Sequence, residues 1–176
     1  MTCVECGKQL KSTLVERYHY KESGLPQVYL KDSVRIHQCN SGHRFVDIPM
    51  IERLQDAIAY ELLKKKALLT GPEFRFLRKW LGLTTERLTA ALGYKSRQSV
   101  SRWENGKEPI TAATDHAMRL FVLRVKEETI NRRMFEHIQI QDYFEQIASK
   151  PGRSWKITID RETLKNLPFP AVSDSA

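Results

Sequence analysis

The chain has 176 residues, 41% of them hydrophobic, and a formal net charge of +8. That length holds one ordinary domain or two small ones, and no apolar run approaches the roughly 20 residues of a membrane span, so no membrane-spanning helix is expected. The opening residues MTCVECGKQL lack the apolar stretch of a secretory signal, and a cytoplasmic, nucleoid-associated protein is expected. The positive charge is uneven. Residues 1–66 carry 11 Lys and Arg against 8 acids, residues 67–127 carry 11 against 6, and the remainder is balanced. A polyanion is the first partner to consider, and the middle third is where it would bind.

In chain order, residues 1–49 read as β structure. LVERYHY (14–20) alternates in part, and QVYLKDSVRIHQC (27–39) reads as two short strands around a Lys31-Asp32-Ser33 turn. Pro49 closes this part. IERLQDAIAYELLKKK then places Ile51, Leu54, Ile58 and Leu62 on one helical face, which makes residues 50–69 a linker helix. From residue 70 the pattern is helical throughout. Thr70 and Glu73 have capping-box spacing, with Pro72 in the first turn and Phe74, Leu77 and Leu81 as the apolar stripe. LTTERLTAALG is a second short helix capped by Thr84 and stopped at Gly93. SRQSVSRWENG is a third, capped by Ser96 and ended by Asn105-Gly106, and TAATDHAMRLFVLRVKEE is a fourth. Beyond residue 128, Ile130, Met134 and Ile138 step by four, with Phe144 and Ile147 following. WKITID alternates as a strand, RETLKNL reads as a short helix and PFPAVSDSA as a loose tail.

Two short helices with a tight turn are what a helix-turn-helix requires, provided the second buries one face and frees the other for the major groove. At about 100° per residue, Trp103 lies about 60° from Val100, Glu104 about 40° to the other side, and Gln98 and Arg102 about 160° away. Val100 and Trp103 therefore face a core while Gln98 and Arg102 point outward, one turn apart. Arg pairs with guanine O6 and N7, and Gln with adenine N6 and N7. Small Ser99 and Ser101 allow close approach and bond phosphates. The predicted DNA-contacting set is Thr84, Thr85, Ser96, Arg97, Gln98, Ser99, Ser101, Arg102 and Lys107.

The three cysteines, Cys3, Cys6 and Cys39, are too few and odd in number for a disulfide framework. Cys3-x-x-Cys6 followed by Gly7 has the form of a zinc knuckle, and Cys39-x3-His43 offers a second pair. A structural Zn2+ on Cys3, Cys6, Cys39 and His43 follows, with His37 and His19 as rival fourth ligands. Catalysis is not expected, because no base and orienter are spaced around the Ser23-Gly24 turn beside His19. RNA stacking on Tyr18, Tyr20 and Tyr29 is an alternative to their packing across strands.

LTTERLTAALGYKSRQSVSRWENGKEPI resembles the Cro/lambda-repressor-type (XRE) helix-turn-helix family. It departs from the usual pattern at Thr85, where Gln is common, and by one extra residue between Gly93 and Trp103. The cysteine-bearing half, with Tyr18, Tyr20, Glu22, Ser23, Gly24 and Leu25, resembles the MqsA (YgiT-type zinc finger) antitoxin-like family, over about residues 3–125 in all. Gly42 stands where that family has its last Cys. The resemblance implies a homodimeric repressor of double-stranded palindromic operator DNA, often its own promoter, with Gln98 and Arg102 reading bases and Cys3, Cys6 and Cys39 on zinc. It implies in some members an antitoxin that neutralises a cognate toxin through the zinc domain. The expected fold is α+β: a small N-terminal zinc-binding β domain (1–49), the linker helix (50–69), an all-α helix-turn-helix domain (70–127) and a C-terminal helix–strand extension (128–176) that either dimerises or folds back.

Overall fold

The computed structural model describes residues 1–129, 147 and 153–167. The fold is mixed α and β. Strands β1 (Leu10–His19), β2 (Val28–Cys39) and β3 (Arg44–Asp47) form an antiparallel meander, and β4 (Ile157–Asp160) lies parallel to the first half of β2, from Val28↔Ile157 to Lys31↔Asp160. A single 3-10 turn, Lys21–Ser23, joins β1 to β2. The expected turn at Lys31-Asp32-Ser33 is instead a β-bulge inside one twelve-residue strand. Pairing with β1 jumps from Val15↔Val34 to Arg17↔Lys31, so Asp32 and Ser33 together oppose Glu16, and Asp32 takes φ 48°. The same residue types that close a turn also supply the left-handed residue of a bulge.

Six helices are described: α1 (Ile51–Lys64), α2 (Gly71–Trp80), α3 (Thr85–Ala91), α4 (Arg97–Glu104), α5 (Ala112–Thr129) and α6 (Arg161–Lys165). Their starts follow local chemistry. Thr84 Oγ1 accepts from Arg87 N–H at 3.2 Å, Ser96 Oγ from Gln98 N–H at 3.2 Å, and Asp160 Oδ1 from Thr163 N–H at 2.7 Å. Glu73 reaches back to Thr70 N–H at 2.7 Å, as the capping-box spacing predicts. On α1, Leu54, Ile58 and Leu62 are fully buried, but Ile51, the first residue of the helix, is exposed. The strand expected in WKITID and the helix expected in RETLKNL are β4 and α6. The predicted helical positions Ile130, Met134, Ile138 and Phe144 and the tail from Pro168 lie outside the described residues, whereas Ile147 is described and buried.

One cluster of buried apolar side chains runs from the sheet (Val28, Leu30, Val34, Ile157, Ile159) through α1 into α2, α3, α4 and α5 (Phe74, Leu77, Leu88, Val100, Trp103, Met118, Val122). Inside it sits a polar joint. Arg119 and Asp115 on α5 are fully buried and paired, Nε to Oδ2 at 2.7 Å. Arg119 Nη1 also donates to the carbonyls of Leu62, Leu63 and Lys65, at 3.2, 2.8 and 3.1 Å, and Nη2 to Ala67 O at 3.0 Å. Several of these are carbonyls that the end of α1 leaves without helical partners. Asp115 Oδ1 accepts from Leu69 N–H at 2.7 Å. Beside them, buried Lys65 Nζ meets Glu73 Oε2 at 2.6 Å and Leu68 O at 2.8 Å, and Glu73 Oε1 accepts from Trp155 N–H at 3.0 Å.

Removing Arg119 strands a buried carboxylate and the carbonyls around it. Arg119→Met is expected to lower unfolding stability by about 3–5 kcal/mol, read by urea denaturation of the full chain. A loss near zero would mean that the joint does not hold the helices in register.

Candidate nucleic-acid interface and metal centre

Helix α4 is eight residues long and gains its position from its buried face. Val100 is fully buried and Trp103 nearly so. The Trp103 ring meets Tyr94 edge-on, with centroids 4.8 Å apart, and Phe74 of α2 at 6.0 Å. The opposite face is open. Gln98 and Arg102 are both exposed, as the helical wheel requires. Arg97, Gln98, Ser101, Arg102 and Lys107 join Thr85 and Glu86 of α3 around one concavity of about 450 Å³. Thr84, Ser96 and Ser99 do not line it. Thr84 and Ser96 cap their helices, and Ser99 is half-buried.

Sequence reading missed what holds the C-terminal end of α4. Glu104 is buried, and its carboxylate takes Arg78 Nε at 2.6 Å and Nη2 at 3.0 Å, with Arg75 Nε at 3.3 Å. Arg75 Nη2 also donates to Glu104 O at 3.2 Å and Asn105 Oδ1 at 2.6 Å. The Glu104 carboxylate holds the Arg78 guanidinium charged above its ordinary range. Gly71, at the start of α2, packs directly on this helix end, and a Cβ there would stand 2.3 Å from Trp103 O. A signal was present in the sequence: the wheel puts Glu104 on the buried side of α4, where a carboxylate needs a cationic partner.

At the far tip of the sheet, Cys3, Cys6, Cys39 and His43 come together, with all four ligand atoms within 4.8 Å of one another. Cys3 Sγ lies 3.4 Å from His43 Nδ1, and Cys6 Sγ 3.6 Å from Cys39 Sγ. Sulfurs tetrahedrally placed at about 2.3 Å from one ion stand about 3.8 Å apart, whereas a disulfide brings them to about 2.05 Å. Two matching turns build the site. Gly7 N–H donates to Cys3 O and Gly42 N–H to Cys39 O, and both glycines take the left-handed conformation, φ 68° and 89°, that such turns need. The N–H of Lys8 lowers the Cys6 thiol to about 6, against desolvation, while burial raises that of Cys3. This donor set can hold a metal ion. The rival histidines lie elsewhere: His37 Nδ1 bonds Ser12 Oγ at 2.6 Å within the sheet, and His19 Nε2–H donates to Pro26 O while its ring stacks on Tyr29. Ser23 Oγ donates to Tyr20 O. Tyr20 packs into the core, and across the strands Tyr18 stands opposite Leu30 and Tyr29 opposite His19.

The family model HTH_3, helix-turn-helix, matches residues 74–114, from α2 into the start of α5. That class is a DNA-binding regulator module of the XRE type and not an enzyme family. No curated protein and no solved structure matches the chain. Among the described residues no helix is long and apolar enough to cross a membrane.

Glu104→Gln removes the charge that both arginines address while keeping the side-chain shape. It is expected to cost about 1.5–3 kcal/mol of stability in thermal or urea melts of the full chain. An unchanged midpoint would mean that the clamp does not position α4.

Proposed function

We propose that the protein is a sequence-specific DNA-binding transcription regulator, a repressor that binds a palindromic operator as a homodimer and keeps its N-terminal tip folded with a structural zinc ion. The observation that carries the reading is the two-sided α4: Val100, Trp103 and Glu104 are buried, and Gln98 and Arg102 are exposed beside Arg97, Ser101 and Lys107 in one concavity. That is the arrangement with which a recognition helix presents a fork for guanine and an amide for adenine to the major groove. One such head covers one half-site. Two copies are needed for an operator whose half-sites lie one helical turn apart. The family match over residues 74–114 supports the DNA-binding part of this reading.

The test begins with operators selected from a random duplex pool by the wild-type chain. Arg102→Ala is expected to lower the preference for the selected duplex over random DNA by about 1–3 kcal/mol, measured in competition shifts, while the melt is unchanged. Undiminished discrimination would remove Arg102 from base reading.

Three thiolates and an imidazole suit Zn2+ in a closed, four-coordinate structural site. Metal analysis should find one zinc per chain, and Cys39→Ser should lose it. Chelation should speed amide exchange at Cys3, Gly7, Cys39 and Gly42, whose N–H bonds build the two turns, while Val28, Leu30 and Val34 in the apolar core keep their protection. Exchange that is unchanged at the tip would argue against a structural ion.

A further inference from the structure

Both arginines of α4 face outward and are already engaged. Arg97 Nη1 lies 2.9 Å from Glu86 Oε1, and Arg102 Nη2 lies 3.0 Å from Glu108 Oε1. Three of these side chains are exposed and Glu108 is half-buried, the fractions running from 36% for Glu108 to 71% for Arg97. Pairs this open contribute little to folding. Hydrogen bonding from Arg97 keeps the Glu86 carboxyl below its ordinary range, so it stays ionised. Among the described residues, Lys107 lines the same concavity and makes no ion pair. The reading face is therefore not the uniformly cationic surface that backbone attraction alone would favour. Each arginine has an acid beside it, and each pair occupies one terminal nitrogen of the guanidinium, leaving the other N–H groups of the fork available.

We propose that Glu86 and Glu108 are specificity determinants: they offset the charge of Arg97 and Arg102 toward the phosphate backbone, so that tight binding requires base edges that engage the fork. The inference rests on the DNA-reading function above. Phosphate attraction acts on any sequence and scales with uncompensated cations. A guanine edge presents two acceptors in register with the guanidinium, which a single phosphate contact does not match in base information. An acid next to the arginine therefore weakens binding to all DNA, and only the correct base recovers the loss through paired, directional bonds. The two glutamates act through the arginines and are positioning residues in that sense.

The experiment uses the full chain with Glu86→Gln, Glu108→Gln and the double variant, measured by fluorescence anisotropy against the selected operator and a random duplex at several salt concentrations. Affinity for random duplex is expected to rise roughly two- to fivefold per substitution, with the dependence of log K on log salt steepened by about 0.9 for each acid removed. Operator affinity rises less, so the operator-to-random ratio falls. Glu86→Asp, which keeps the charge, should restore the ratio. Glu86 lies in the first turn of α3, so its loss also touches that helix; Glu108→Gln has no such role and keeps the test clean. Random-duplex affinity that stays level or drops, or a ratio that does not move in Glu108→Gln, overturns the proposal. A wild-type chain that prefers no duplex in the selection would instead overturn the DNA-reading function itself, and the same titrations separate the two failures.

Discussion

Arg119 is the constraint on which the arrangement of the molecule depends. A guanidinium with no exposed surface survives only if its donors are used, and here they are spent on Asp115 and on carbonyls at and just beyond the end of α1. Its partner Asp115 holds Leu69 N–H on the way into α2. One residue pair on α5 thus fixes where α1 stops and how the chain turns toward the helix-turn-helix. Replacing such a pair by apolar residues is often neutral for stability, whereas removing one partner alone leaves a buried charge and its carbonyls uncompensated. Lys65 and Glu73 repeat the device at the next turn, and Glu73 extends it to Trp155, just before β4.

The same logic positions α4. An eight-residue helix does not hold itself together in water. Trp103 supplies area, wedged edge-on against Tyr94 and Phe74, but rings alone leave rotation about the helix axis loosely specified. Glu104, next in sequence and on the adjacent part of the buried face, removes that freedom by accepting from both Arg75 and Arg78 of α2. Close approach at Gly71 sets the distance between the start of α2 and the end of α4. Because every anchor lies behind the helix, its front remains open, with Gln98 and Arg102 exposed there.

What was legible in the sequence was local. Caps at Thr84 and Ser96, the stop at Gly93 and the two-sided character of α4 all depend on residues within one or two turns, and they stand in the structure where the pattern puts them. The β2 bulge was misread because Asp32 satisfies a turn and a bulge equally, and only the pairing with β1 decides between them. The partners of Glu104 lie 26 and 29 residues away, and the carbonyls that Arg119 reaches lie more than 50 residues away; no spacing rule reports such pairs. The fourth ligand fell between these cases. Spacing favours His43, four residues past Cys39, with His37 and His19 as rivals; the register Ser12↔His37 commits His37 to the middle of the sheet, while His43 precedes β3 at the open tip.

The location of that tip gives the sulfur cluster its reason. The apolar core reaches the sheet through Tyr20, Leu25, Val28, Leu30 and Val34, which are near the hairpin turn, the bulge and β4. At the other end, where β1 begins and β2 ends, Leu10 is only half-buried and Val46 of β3 is exposed. Strand pairing with so little apolar cover is weakly stable. There the four converging protein donors would supply, on a metal ion, the cross-link that packing does not. They also leave a tetrahedral ion no open position for a substrate. The path from this cluster to the reading helix passes through the sheet, α1 and α2 in turn. Its influence on α3 and α4 therefore runs through the sheet that α1 packs on.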